Sequence, residues 1–169
     1  MRPPYSIAWI LFFLHLHKTN QNMKYPLLLL LTIIPVILFS QEKSDSIAIV
    51  KLLKDDYSTM GNWNIAKHIQ NCTENYLLIE EGEIWNMEKE RKYYIENASR
   101  TIERKDYFDI KYVKVYGNTA YAVYGLRSDI KENAVMKVKN WNESAFFRKL
   151  KGVWKIELIH STPVSMNNK

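Results

Sequence analysis

Apolar residues recur at helical spacing in the first half of the chain and at a spacing of two after Tyr107. Ile47, Val50, Leu53 and Tyr57, widened by Ile49 and Leu52, form one stripe. Together with a cap at Ser44 or Ser46 they predict a helix running to about Met60. Gly61-Asn62 ends it, and Asn62 or Asn64 caps a second helix over 63–71 that turns Ile65, Ala66 and Ile69 inward. Residues 76–81 (YLLIEE) read as a short strand, Glu81-Gly82-Glu83 as a turn and Ile84-Trp85 as a returning edge. Asn86 then caps a third helix, from Met87 to about Arg104, with Glu88 and Glu90 in its first turn where the helix dipole favours acids.

From Tyr107 the period is that of a strand. Residues 108–116 predict one strand, Gly117-Asn118 a turn, and 119–127 its partner. In that partner Ala120, Ala122, Tyr124 and Leu126 share one face, while Tyr121, Val123 and Arg127 share the other. The lysine-rich stretch 129–141 is either a hairpin tip or a strand extension. A last hairpin covers 143–164 and turns at Lys151-Gly152. Strict alternation there places Trp154, Ile156, Leu158 and His160 on one face, and Val153, Lys155, Glu157, Ile159 and Ser161 on the other. The fold class that follows is α+β, with N-terminal helices packed on one face of an antiparallel sheet.

The amino terminus reads differently. Residues 23–40 (MKYPLLLLLTIIPVILFS) combine Lys24 with an apolar run from Pro26 to Phe39, which is the shape of a secretory signal peptide. That run is short of the ~20 residues of a membrane span, and Pro35 interrupts it. A cut after Ser40 leaves Gln41 as the mature terminus. Residues 1–22 are read as an extension upstream of the true start at Met23. The alternative is a single uncleaved hydrophobic anchor. The remainder divides into a polar leader (41–45), one domain (46–164) and a tail (165–169).

Removing Arg2, Lys18 and Lys24 from the 24 basic residues leaves 21 against 18 acidic ones, a net charge of +3 for the mature part. That balance does not call for nucleic acid. The chain has one cysteine, Cys72, so no intrachain disulfide is expected in an exported protein. His68, His160 and Cys72 show no metal-ligand spacing, and there is no phosphate-cradling glycine loop, so no metal and no cofactor is expected.

Four motifs in order carry a resemblance. They are the first helix followed by Gly61-Asn62-Trp63-Asn64-Ile65, the strand-turn-helix over 76–88, Val115-Tyr-Gly-Asn-Thr-Ala-Tyr-Ala-Val, and Lys151-Gly-Val-Trp-Lys-Ile with His160-Ser-Thr-Pro. Over 46–164 the chain resembles the nuclear transport factor 2-like superfamily, in its SnoaL-like and ketosteroid-isomerase-like branch and most of all its exported domains of unknown function. The resemblance implies a cone-shaped α+β barrel of the cystatin-like kind, a curved antiparallel sheet wrapped on the helices and enclosing a pocket. It also implies a homodimer paired through the sheet. The Tyr and two acids of the isomerases have no residue-by-residue match here, so that activity is not carried over.

Strand parity nominates the pocket lining: Trp154, Ile156, Leu158 and His160 from the last strand, Ala145 and Phe147 or Phe146 and Arg148 from its partner, and Tyr124 or Tyr121 from the strand before. Tyr57 and Trp63 join from the helical side and Trp85 near the rim. The competing expectation is that these aromatics only fill the core. His160, an imidazole titrating near neutrality, is the catalytic candidate, with Asp56 and Tyr57 as its carboxylate and phenol. The leading functional expectation is an exported domain holding a small apolar or amphipathic molecule in a hydrophobic pocket. An isomerase, lyase or hydrolase using His160 is the first alternative, and a dimeric interaction module the second.

Overall fold

The computed structural model describes the backbone of residues 24–165 and side chains from Glu42 to Ser165. Residues 1–23 and 166–169, and with them the expected upstream extension and most of the tail, lie outside the described residues. The chain divides into two units, 1–41 and 42–169. The sheet belongs to the second. Among the residues with described side chains, no helix is long and apolar enough to cross a membrane.

Helix α1 (Lys24–Gly61) runs without a break through the position where a cap at Ser44 or Ser46 was expected. Ser46 Oγ instead donates to the Glu42 carbonyl oxygen one turn back, at 2.9 Å. Asn64 caps α2 (Ile65–Asn71) by accepting from the Lys67 amide, and Asn86 caps α3 (Met87–Asn97) in the same way from Lys89. Six strands follow the chain order: β1 (Cys72–Glu80), β2 (Glu83–Asn86), β3 (Ile102–Tyr116), β4 (Thr119–Glu132), β5 (Val135–Leu150) and β6 (Val153–Pro163). The β1–β2 turn places Glu81 and Gly82 at φ 50° and 81°, a pair of left-handed residues suited to a two-residue hairpin.

Two boundaries differ from the pattern reading. Helix α3 stops at Asn97, and β3 begins at Ile102, inside what was read as helix. The charged run 103–106 is compatible with a strand because its inward members neutralise one another. Arg104 Nε donates to both Asp106 oxygens at 2.9 and 3.0 Å, and its Nη2 to Ser128 Oγ at 3.1 Å. The stretch 129–141 proves to be strand extension, turning at Asn133-Ala134.

The sheet order is β2-β1-β6-β5-β4-β3. It is mixed rather than wholly antiparallel, because β1 runs parallel to β6. It curves around the helices without closing, leaving β2 and β3 as edges, so the α+β expectation holds while full barrel closure does not. The core lies between α1 and the inner face, with Ile49, Leu53, Tyr57, Ala122, Tyr124, Phe147 and Ile156 buried.

Two β-bulges redirect the strands. Ile110 faces Tyr124 and Tyr112 faces Val123, so Lys111 is the extra residue in β3. Phe147 faces Ile156 and Phe146 faces Leu158, so Glu157 is the extra residue in β6. A bulge reverses side-chain parity beyond it. Trp154 and Ile156 point inward as expected, but past Glu157 it is Ile159 and Ser161 that are buried. Leu158 is half-buried on the outer face, and His160 is exposed there opposite Ser144. Placing Leu158 and His160 beside Trp154 is therefore corrected. Arg148 holds the bulge residue through two of its three guanidinium nitrogens, Nε to Glu157 Oε2 and Nη2 to Oε1 at 2.7 Å.

Candidate functional site

Cross-strand register arranges the inner face in rows. Leu78, Ile159, Ala145, Ala122 and Val113 form an apolar row from β1 to β3. Phe108, Leu126 and Trp141 form another. Between them runs a polar row: Glu80, Ser161, Glu143 and Tyr124. Helix α1 lowers Tyr57 onto this row. The Tyr57 hydroxyl donates to Glu143 Oε2 and lies 3.4 Å from the Tyr124 hydroxyl, while Ser161 Oγ donates to Glu143 Oε1 at 2.8 Å. Phe108 packs edge-on against Tyr57, with centroids 5.3 Å apart. Burial pushes the Glu143 carboxyl above its ordinary range, although Tyr57, Ser161 and Tyr124 all favour its charged form. Burial, then the neighbouring Glu81 charge, does the same to Glu80. A carboxylate on an apolar face is costly unless hydrogen-bonded, and Glu143 is bonded on both oxygens.

Asp56, the residue before Tyr57, points into a second buried cluster. His68 Nδ1 lies 3.0 and 3.1 Å from its two oxygens, and Asn71 Nδ2 donates to Oδ1 at 2.9 Å. The His68 ring stacks on Tyr94 and meets Tyr76 edge-on. Burial opposes charge on this imidazole, but the Asp56 hydrogen bond and charge, with Glu90 beyond, hold its pKa above the ordinary value. Cys72 Sγ lies 3.9 and 3.8 Å from the two ring nitrogens, so Asp56, His68 and Cys72 gather one oxygen, one nitrogen and one sulfur donor. Burial pushes the Cys72 thiol far up, which makes it a poor nucleophile.

Of the residues nominated from sequence, the structure joins Tyr57 and Tyr124 at the polar row. Phe147, Trp154 and Ile156 are core residues of the same face, and Trp154 Nε1 donates to Asp45 at 2.8 Å. Trp63 and Trp85 lie elsewhere, both against Tyr93, with centroids 6.0 and 5.6 Å away. Trp85 lines a surface groove of about 540 Å³ with Lys89, Tyr93 and Glu96. Asp56 is not paired with His160: its partner is His68, and His160 faces outward. Pattern reasoning missed Glu143, Ser161 and His68. Glu143 carried a usable signal, since it shares strand parity with Ala145 and Phe147.

No protein-family model matches the sequence, and no curated protein matches it. Solved structures do. The association domain of CaMKII from C. elegans superposes with a TM-score of 0.64 at 17% identity, covering 72% of this chain and 98% of that one. A nuclear transport factor 2-like superfamily protein from Salmonella enterica gives 0.62 at 15%, covering 75% and 96%. A ketosteroid isomerase-like protein from Erwinia carotovora gives 0.58 at 14%, covering 70% and 95%. The chain has the nuclear transport factor 2-like fold. At these identities the likeness is one of fold.

Proposed function

We propose that the domain is a non-catalytic binder of a small amphipathic molecule, seated on the inner face with its polar group at the Glu80–Ser161–Glu143–Tyr124 row. The observation that supports this reading is a hydrogen-bonded carboxylate lying between two apolar rows of one sheet face. Leu78 and Phe108, in the flanking rows, are only partly buried and offer apolar surface to the rest of the molecule. The row carries two carboxyls, Glu80 and Glu143, and a carboxylate repels an anion beside it, so the ligand class is neutral or cationic at its polar end. The test is a titration with decanol and with decanoate, followed by tryptophan fluorescence. Decanol is expected to give a saturable change that Trp141→Phe removes, and decanoate a much weaker one. Equal responses to both, or a change that survives Trp141→Phe, would count against the reading. Export through residues 23–40 belongs to the same proposal and rests on the apolar run. Intact mass of the exported protein checks it, with a chain beginning at Gln41 expected.

A second reading, pairing of two copies, is favoured by the outer face. Leu77, Leu158, Phe146 and Tyr121 lie in register across four strands, with Val123 and Tyr112 in the adjacent row. Phe146, Tyr121 and Tyr112 are 37%, 39% and 60% exposed, a continuous apolar stripe of the kind that marks an interface. This reading is compatible with the first, because the two use opposite faces.

A further inference from the structure

We propose that the edge strand β3 pairs antiparallel with β3 of a second copy of this chain, in a register centred on Tyr107. This contact uses the edge of the sheet and is separate from pairing through the outer face. Strand β3 ends the strand order, so one side of its backbone pairs with no strand among the described residues. Residues 103–111 alternate. Arg104, Asp106, Phe108 and Ile110 are partly buried on the inner face, whereas Glu103, Lys105, Tyr107, Asp109 and Lys111 are exposed on the other.

The exposed residues read acid, base, tyrosine, acid, base. Two identical edges pair about a two-fold axis, so the residue on that axis names the register. With Tyr107 there, Glu103 faces Lys111 of the partner subunit, Lys105 faces Asp109 of the partner subunit, and the tyrosines meet. Adjacent registers set like charges opposite. An axis at Asp106 puts Glu103 against the partner's Asp109, and one at Phe108 puts Lys105 against the partner's Lys111. Axes at Lys105 or Asp109 put each of those residues against its own copy. An axis between two residues turns exposed side chains toward the partner's inner face. Charges on an edge strand ordinarily keep other edges away, and like charges directly opposite destabilise a pair. Here the same charges exclude the adjacent registers and favour one.

The charged groups are accessible. Opposite Asp109 on β4 stands Gly125, which has no side chain, and the ion pair Asp109 makes among the described residues is with Lys111, two residues along its own strand, at 2.5 Å. Glu103 pairs with Lys131 at 2.9 Å. Exposed pairs of this kind contribute little and give way to a partner's charges. Lys105 Nζ lies 5.1 Å from the Tyr107 ring centroid, already beside the axis. On the inner face Arg104 and Asp106 neutralise one another at 2.9 Å, so they bring no net charge to the seam. Pairing adds roughly one main-chain hydrogen bond per facing residue. A seam of one strand per copy is narrow beside the ~1,000 Å² of a stable interface, so the contact is weak and is read with a covalent trap.

The trap is a disulfide across the axis. Directly opposed residues of paired strands have Cβ atoms about 4.5–5.5 Å apart, within a small movement of the roughly 3.5–4.5 Å that a disulfide spans. Full-chain Tyr107→Cys is oxidised with glutathione disulfide, and covalent dimer is followed by non-reducing electrophoresis. The reference is Tyr116→Cys, exposed on the same strand and without a partner in this register. The native Cys72 is buried and stays out of the reaction. Tyr107→Cys is expected to cross-link at least tenfold faster than Tyr116→Cys. Adding Lys105→Asp, or instead Asp109→Lys, is expected to remove that advantage, because each sets like charges opposite. An equimolar mixture of those two double variants is expected to regain it, because unlike chains restore both ion pairs, whereas a folding defect is not rescued by mixing. Equal rates for Tyr107→Cys and Tyr116→Cys, charge variants as fast as Tyr107→Cys, or a mixture no faster than its parts overturns the proposal.

Discussion

The Asp56 carboxylate is partnered by His68 Nδ1 at 3.0 Å, with side chains 1% and 2% exposed. The pair ties α1 to α2 across twelve residues of sequence. Removing one member of a buried pair strands the other, at a cost of about 3–5 kcal/mol. Asp56→Asn is therefore expected to lower unfolding stability by that amount in urea titrations. The pH dependence follows from the raised His68 pKa. Its contribution is complete below the ordinary histidine pKa and disappears as pH rises through the raised value. Stability measured across that window falls for wild type relative to His68→Gln.

The Glu157 bulge decides which residues of β6 face the core. Deleting Glu157 removes the extra residue and leaves Leu158 outward, Ile159 and Ser161 inward and His160 outward by plain alternation. The deletion is therefore expected to keep Ile159 in the core and unfolding cooperative, whereas Ile159→Ala, which empties that place, is expected to cost roughly 2–5 kcal/mol in urea titrations. Arg148→Ala, which removes only an exposed ion pair, is expected to cost under about 1 kcal/mol. A loss on deleting Glu157 as large as that of Ile159→Ala would contradict this reading of the bulge.

Pairing through the outer face predicts that Phe146→Lys leaves the fold intact and shifts sedimentation to the monomer. A stable pair needs more than ~1,000 Å² of buried surface, and a lysine in the central row opposes that burial. Sedimentation of wild type as a monomer at the same concentrations would remove the second reading.

Glu143 has a pKa above its ordinary range because burial penalises its charge. The folded protein therefore holds this proton to higher pH than the unfolded chain does. Stability falls as pH rises from the ordinary glutamate pKa through the raised one, by at most about 1.4 kcal/mol per pH unit for one proton. Glu143→Gln removes that dependence. The stability difference between variant and wild type should move in the variant's favour as pH rises across this window.

The α+β class, the capping asparagines Asn64 and Asn86, and the turns at Gly82, Gly117 and Gly152 were legible in the chain because each depends on neighbours within a few residues. The bulges were not. Glu157 looks like any outward residue of an alternating strand, and its displacement is visible only against the register of β5. The Asp56–His68 contact was missed for a similar reason, since the helix pattern fixed neither direction. Strand β3 was read too short because Arg104 and Asp106, which suit solvent when taken singly, point inward as a mutually neutralising pair. Helical spacing nominated Tyr57 and strand parity Tyr124 or Tyr121, and the Tyr57 and Tyr124 hydroxyls lie 3.4 Å apart, whereas Glu143 was overlooked although parity alone placed it on the same face.

The most direct test of the binding proposal is native mass spectrometry of the protein recovered gently from its own cells, as wild type and as Glu143→Leu. Wild type is expected to carry a neutral or cationic amphipathic molecule, lost on denaturation, and the folded variant to emerge without it. A wild type as bare as the variant, or a variant carrying the same molecule in the same proportion, would contradict it.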